Sequence, residues 1–161
     1  MGCDSGKGAD AEKLSREAVE AYPADAYADE KIFAQSILSR ALLQQGKVDE
    51  ARAAIAEAVR LSEKSQDVIV RISVLLDHAY AMAAGKNLGG AETTAQEALT
   101  RARNLGLVRL QLEASLVLGE IQMTGPNRAA GRARLQALEK SARAKGFELI
   151  ARKAANGQGI L

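Results

Sequence analysis

The stretch Leu38-Ser39-Arg40-Ala41-Leu42-Leu43-Gln44-Gln45-Gly46-Lys47-Val48-Asp49-Glu50-Ala51, continued by Ile55 and Ala58, decides the fold. Its apolar residues recur at three- and four-residue spacing, the period of an amphipathic helix. Gly46 interrupts the run and is the residue expected where a helix ends in a left-handed turn. Lys47-Val48-Asp49-Glu50 then opens another helix, with Ala51, Ile55, Ala58, Val59 and Leu61 on one face. Two helices joined by so short a turn are antiparallel neighbours.

The pattern returns at a fixed spacing. Ala51 has counterparts at Ala11, Ala91 and Gly131, and Ala58 at Ala18, Ala98 and Leu138. Glu57 has counterparts at Glu17, Glu97 and, with the charge lost, Ala137. A fixed period means one supersecondary unit repeated, each unit burying its apolar face on the next. Read this way, helices are expected over about 9–22, 26–45, 47–64, 67–84, 90–104, 107–123, 126–145 and 147–155. Pro23 breaks the first of these, since proline cannot continue a helix. Gly85, Gly106 and Gly146 end three others, and Pro126 is expected at the first position of the seventh. Residues 1–8 are expected to be a flexible N-terminus and 156–161 a tail. Residues 9–155 are then expected to form a single domain, an all-α α-solenoid of about three full repeats with a half-repeat at each end.

Composition agrees. Of 161 residues only 3% are aromatic, whereas 47% are hydrophobic, which is enough to build a core and excludes disorder by lack of one. Ala, Leu, Glu, Arg, Lys and Gln dominate, and these lose little freedom in a helix. No apolar run is long enough to offer a spanning helix. Net charge is +2, unevenly spread. Residues 1–30 sum to −5 and residues 125–161 to +6, an asymmetry that speaks of partners rather than fold.

The helix pairs resemble tetratricopeptide repeats. The resemblance rests on Leu38-Ser39, a large-then-small pair, followed by Gly46 and then Asp49-Glu50-Ala51. Leu118-Gly119, Gly125, Gly131, Leu135 and Leu138 match the same template. Leu75, Ala79, Met82, Gly85, Ala91, Ala95 and Ala98 match it more loosely. Two departures stand out: the period is 40 rather than 34, and Glu63 replaces the proline that closes the family's second helix. The longer form is similar to segments of bacterial regulatory proteins. The resemblance implies that the α-solenoid is right-handed and that the chain is a non-catalytic protein–protein interaction module.

It also implies a concave face lined by the first helix of each pair. Carried across, the family's inner positions are Phe33, Ser36, Arg40, Leu43 and Gln44, then Ser73, Leu76, Tyr80, Ala83 and Ala84. Glu113, Leu116, Glu120, Met123 and Thr124 complete the set. The basic clamp that some members use for a terminal carboxylate is absent from them. A peptide or protein client on this face, in a regulatory or sensor segment of a larger bacterial signalling protein (a kinase or a transcription regulator), is one expectation.

The other is self-association. The first helix and the last each lack a partner within the repeat pattern. Leu14, Ala18, Val19 and Tyr22 on the first, and Phe147, Leu149 and Ile150 on the last, would join two copies head to tail. The acidic beginning would meet the basic end. Such a contact, if it does not close, yields a filament.

Other chemistry finds little support. Gly2-Cys3-Asp4-Ser5-Gly6-Lys7-Gly8 has the wrong spacing for a phosphate loop and no Ser or Thr after the lysine. His78 is the only histidine, beside Asp77, and no Cys/His cluster or nucleophile–His–acid set accompanies it. No enzyme activity, cofactor or metal is expected. The basic seventh helix lacks the aromatic platforms of single-strand binders, so nucleic acid is not the expected partner. Cys3 admits three readings: an incidental thiol, an intermolecular disulfide, or the lipidated first residue of a lipoprotein. Only lipidation would tie the chain to a membrane. The compartment is correspondingly open between cytoplasm and, if a signal sequence preceded Cys3, cell envelope or exterior.

Overall fold

The computed structural model describes residues 5–23 and 27–157, all of the regular structure in them helical. Eight helices follow in order: α1 (Ser5–Ala21), α2 (Ala28–Gln44), α3 (Val48–Ser62), α4 (Val68–Ala84), α5 (Leu88–Asn104), α6 (Val108–Thr124), α7 (Arg128–Ala144) and α8 (Glu148–Asn156). From α2 onward the helices begin at Ala28, Val48, Val68, Leu88, Val108, Arg128 and Glu148, a constant step. Two such steps make one period of the sequence pattern. The helices α2, α4, α5, α6 and α7 are equal in length, and the connections between neighbours are short.

The connections explain the step. Lys47 N–H donates to Leu42 O at 2.9 Å and Gly46 N–H to Leu43 O at 3.0 Å, with Gly46 at φ +73°. This is the Schellman closure, which satisfies the last carbonyls of a helix. It recurs at Gly106 and Gly146. After α4 the left-handed residue is Lys86, at φ +65°, rather than Gly85 as the sequence suggests. After α6 the corresponding position is Pro126, whose ring forbids positive φ. Gly125 is extended there instead, and Asn127, not Pro126, precedes the first helical residue. Pro126 therefore lies outside α7 rather than at its first position. After α3 the turn is held by Asp67, which accepts from Ile69 N–H at 2.7 Å, a cap for α4.

The chain divides into two compact units, Met1–Ala81 and Met82–Leu161, with the boundary inside α4. In the first, α2 packs on both α1 and α3. Ile32, Ile55, Ala58, Leu61, Val74 and Ala81 form one cluster, and Leu38, Leu42, Ala51 and Ala54 another, flanked by Val19. Each large aliphatic chain so buried stabilises by about 1.5–3 kcal/mol. Ser39 supplies the small residue of the Leu38-Ser39 pair, and its buried hydroxyl donates to Ala51 O at 2.9 Å. In the second unit, α6 packs on α5 and α7, and α8 on α7 and α6. Leu112, Leu116, Leu135, Leu138, Ala142, Ile150, Ala151 and Ala154 make its core.

α1 begins at Ser5, earlier than the sequence suggests, so the stretch expected to be flexible is helical from Ser5 on. Gly8 is buried, its carbonyl accepting from Gln45 Nε2 at 3.1 Å, which ties the extra turn to the end of α2. Residues 1–4, Cys3 among them, lie outside the described residues, as do 158–161 of the expected tail. No described helix is long and apolar enough to cross a membrane.

Candidate functional sites

The expected concave face narrows. Ser36, Leu76 and Leu116 are buried core residues, not ligand contacts. They share one cause: each is the ninth residue of α2, α4 or α6, helices that bury residues round most of their circumference. Leu116 belongs to the core of the second unit, and the Ser36 hydroxyl has no hydrogen-bond partner among the described residues. Ala83 is buried too. Leu43 and Met123 are half-buried and pack against core clusters. Ser73, Tyr80, Ala84, Glu113, Glu120 and Thr124 are half-buried, and Glu113 accepts from Arg109 at 3.1 Å.

What remains in the first unit is a stripe on α2. Phe33, Ile37, Arg40 and Gln44 are exposed and follow one another at helical spacing. Phe33 is 67% exposed. Ile37 is not among the expected face residues, although its four-residue offset from Phe33 identifies it. Arg40 is not free: its Nε and Nη2 both lie 2.6 Å from Asp77 Oδ1.

The expected end contacts also sort by burial. Ile150 is in the core, so it is not available to a second molecule, and Phe147 packs against the same cluster. Ala18, Val19 and Tyr22 are half-buried, Tyr22 with its ring 5.8 Å from that of Tyr27. Leu14 and Leu149 stand out at 65% and 59% exposed.

A groove that the sequence pattern does not signal lies between α1 and α3, floored by α2. It encloses about 360 Å³. Val19, Leu38, Leu42, Ala53 and Ala54 give it apolar walls, and Arg16, Glu20, Glu50 and Glu57 rim it, with Gln35 inside. Arg16 Nη2 donates to Glu50 Oε2 at 2.8 Å, linking α1 to α3, and Arg60 grips Glu57 at 2.6 Å. Nearby, Glu12 accepts from Lys47, Gln45 and Arg16, and these donors pull its carboxyl down to about 2.

On α7 the bases are mostly exposed, but Arg134 donates to Gln122 at 3.2 Å and Arg143 meets Glu139 at 3.2 Å. His78 is half-buried, and that burial pushes it below the ordinary imidazole value. Among the described residues no three His, Cys, Asp or Glu side chains come together to hold a metal ion. Comparison with family models, with curated proteins and with solved structures gives no match.

Proposed function

We propose that the chain is a non-catalytic protein-interaction module of tetratricopeptide-like helix pairs wound as a right-handed solenoid, and that it works by self-association. The observation that carries this reading is the pair of bare leucines on the first and last helices. Leu14 of α1 is 65% exposed and Leu149 of α8 is 59% exposed, while Val19 of α1 is half-buried and Ile150 of α8 is buried. Opposite net charges at the two ends of the sequence favour a contact between unlike ends. Light scattering across a dilution series tests it. Mass that rises with concentration supports the reading, and a monomer throughout ends it.

The joint is not a simple continuation of the repeat. The fifth residue of α2, α4 and α6 is Ile32, Ile72 or Leu112, each buried. In α8 that residue is Arg152, exposed. A helix laid there, as the missing half of a pair, would bury a guanidinium, which is costly without a partner. A partner on that face must therefore offer Arg152 an acid.

A second reading is favoured by Phe33. A phenylalanine two-thirds exposed beside Ile37 is the kind of anchor that aromatic hot spots provide. On that reading the α2 stripe holds a peptide or protein client. Phe33→Ala then abolishes client binding and leaves light scattering unchanged.

A further inference from the structure

We infer that the groove between α1 and α3 receives α8 of a second copy, with Leu149 as the apolar key and Arg152 and Lys153 meeting the acidic rim. The inference rests on the self-association reading and names its interface.

The lining of the groove is particular to the first unit. A shift of four helix steps, which carries Ala28 onto Val108 and Val48 onto Arg128, superimposes α1, α2 and α3 on α5, α6 and α7 in sequence register. Ala54 becomes Arg134 and Leu42 becomes Gln122, and those two side chains are hydrogen-bonded to each other. Glu20, Glu50 and Glu57 become Thr100, Ala130 and Ala137. The second unit thus sets a hydrogen-bonded polar pair at the equivalent positions and carries none of the three acids. The first unit has small apolar walls there and a rim of negative charge.

α8 has the complementary chemistry. Leu149, Arg152 and Lys153 are exposed and, at offsets of three and four, share one face. Glu148 is the one acid on the helix. A space of about 360 Å³ is small for a ligand pocket but ample for a leucine side chain with the aliphatic stems of two basic neighbours. Arg16 already occupies Glu50 and Arg60 occupies Glu57, which leaves Glu20 as the exposed rim carboxylate without a hydrogen bond or ion pair among the described residues. A contact between unlike surfaces of identical chains propagates into rings or open fibres.

Two charge-reversed proteins test it. One carries Glu20→Lys and Glu57→Lys, the other Arg152→Glu and Lys153→Glu. All four side chains lie outside the core, and circular dichroism checks that both proteins remain helical. Sedimentation equilibrium of the wild type should show mass at least doubling with concentration. Each variant alone should be monomeric, since like charges then face each other. Mixed in equal amounts they should associate again, because both kinds of contact are restored. Leu149→Glu should be monomeric under all conditions. If the wild type associates and the variants associate as well as it does, this interface is wrong and self-association stands. If the wild type is monomeric throughout, both are wrong and the occupant of the groove is foreign.

Discussion

Asp77 Oδ1 lies 2.6 Å from both Nε and Nη2 of Arg40, which joins α2 to α4 across the first unit. Asp77 is 4% exposed and Arg40 is 62% exposed. The pair is therefore half in water, and the carboxylate is the member that suffers if it is broken. Arg40→Ala is expected to lower unfolding free energy by about 1–3 kcal/mol, the range for losing a charged hydrogen bond to a buried group. A double-mutant cycle with Asp77→Asn should return a coupling energy of about 1 kcal/mol or more. A coupling near zero in urea melts would reduce the pair to a surface bridge of no measurable weight. Arg40, expected to meet a ligand, would then be free to do so.

Gly131 marks the closest approach of α7 to α6. A Cβ built there would stand 2.8 Å from Met123 N and 2.9 Å from Gly119 O, both backbone atoms that cannot step aside. Gly131→Ala is expected to cost about 1–3 kcal/mol, as overpacking does. Gly89 of α5 is the control, since nothing lies within 4 Å of its Cβ position. Gly89→Ala should instead stabilise by about 0.5–1 kcal/mol by stiffening the helix. Thermal melts in which the two changes act alike would show that α6 and α7 do not pack this closely.

Gly131 also shows what the sequence could and could not reveal. Its place in one column with Ala11, Ala51 and Ala91 announces a small residue facing a neighbouring helix. Helix type, number and order follow from such columns, because a helical period survives any detail of packing. The single-helix step is legible too, in Gly46, Gly106 and Gly146, once turns are aligned rather than helix faces. Burial on α2, α4 and α6 is harder. Ser36 and Leu116 lie on a side that an amphipathic reading leaves open, because α2 and α6 are each flanked on two sides and have no single apolar stripe. The groove is not legible at all: it depends on Ala54 being short, and alanine in a helix carries no such signal.

Glu12 gives a pH signature. Lys47 Nζ at 2.7 Å, Gln45 Nε2 at 2.8 Å and Arg16 Nε at 2.9 Å hold its carboxylate, lowering it from 4.5 to about 2. A folded value below the unfolded one stabilises the fold above the unfolded value, and that contribution fades as pH falls through about 2. The Arg60 guanidinium lowers Glu57 in the same sense. The urea midpoint of the wild type should therefore fall between about pH 5 and pH 2. In Glu12→Gln the fall should be visibly shallower, with the two proteins converging at the acid end. Parallel curves would mean that Lys47 and Gln45 do not hold Glu12 in solution.

Lys86 occupies a left-handed position, φ +65°, where Gly46, Gly106 and Gly146 occupy the equivalent turns. A side chain costs about 1–2 kcal/mol in that conformation, because Cβ crowds the following carbonyl. The Schellman bonds form regardless, Asn87 N–H to Met82 O at 2.9 Å and Lys86 N–H to Ala83 O at 2.9 Å. Lys86→Gly should keep those bonds, relieve the strain and raise unfolding free energy by about 1 kcal/mol, less a part returned through the freer unfolded chain. For a chain of this size that is a rise of about 2–4 °C in Tm. The reciprocal change isolates the backbone from packing. Gly46 has nothing within 4 Å of its Cβ position, so Gly46→Ala meets no clash and should lower stability by a similar amount through conformation alone. If Lys86→Gly lowers Tm instead, the ammonium of Lys86 contributes more than its backbone costs, and the turn after α4 is held by something other than its hydrogen bonds.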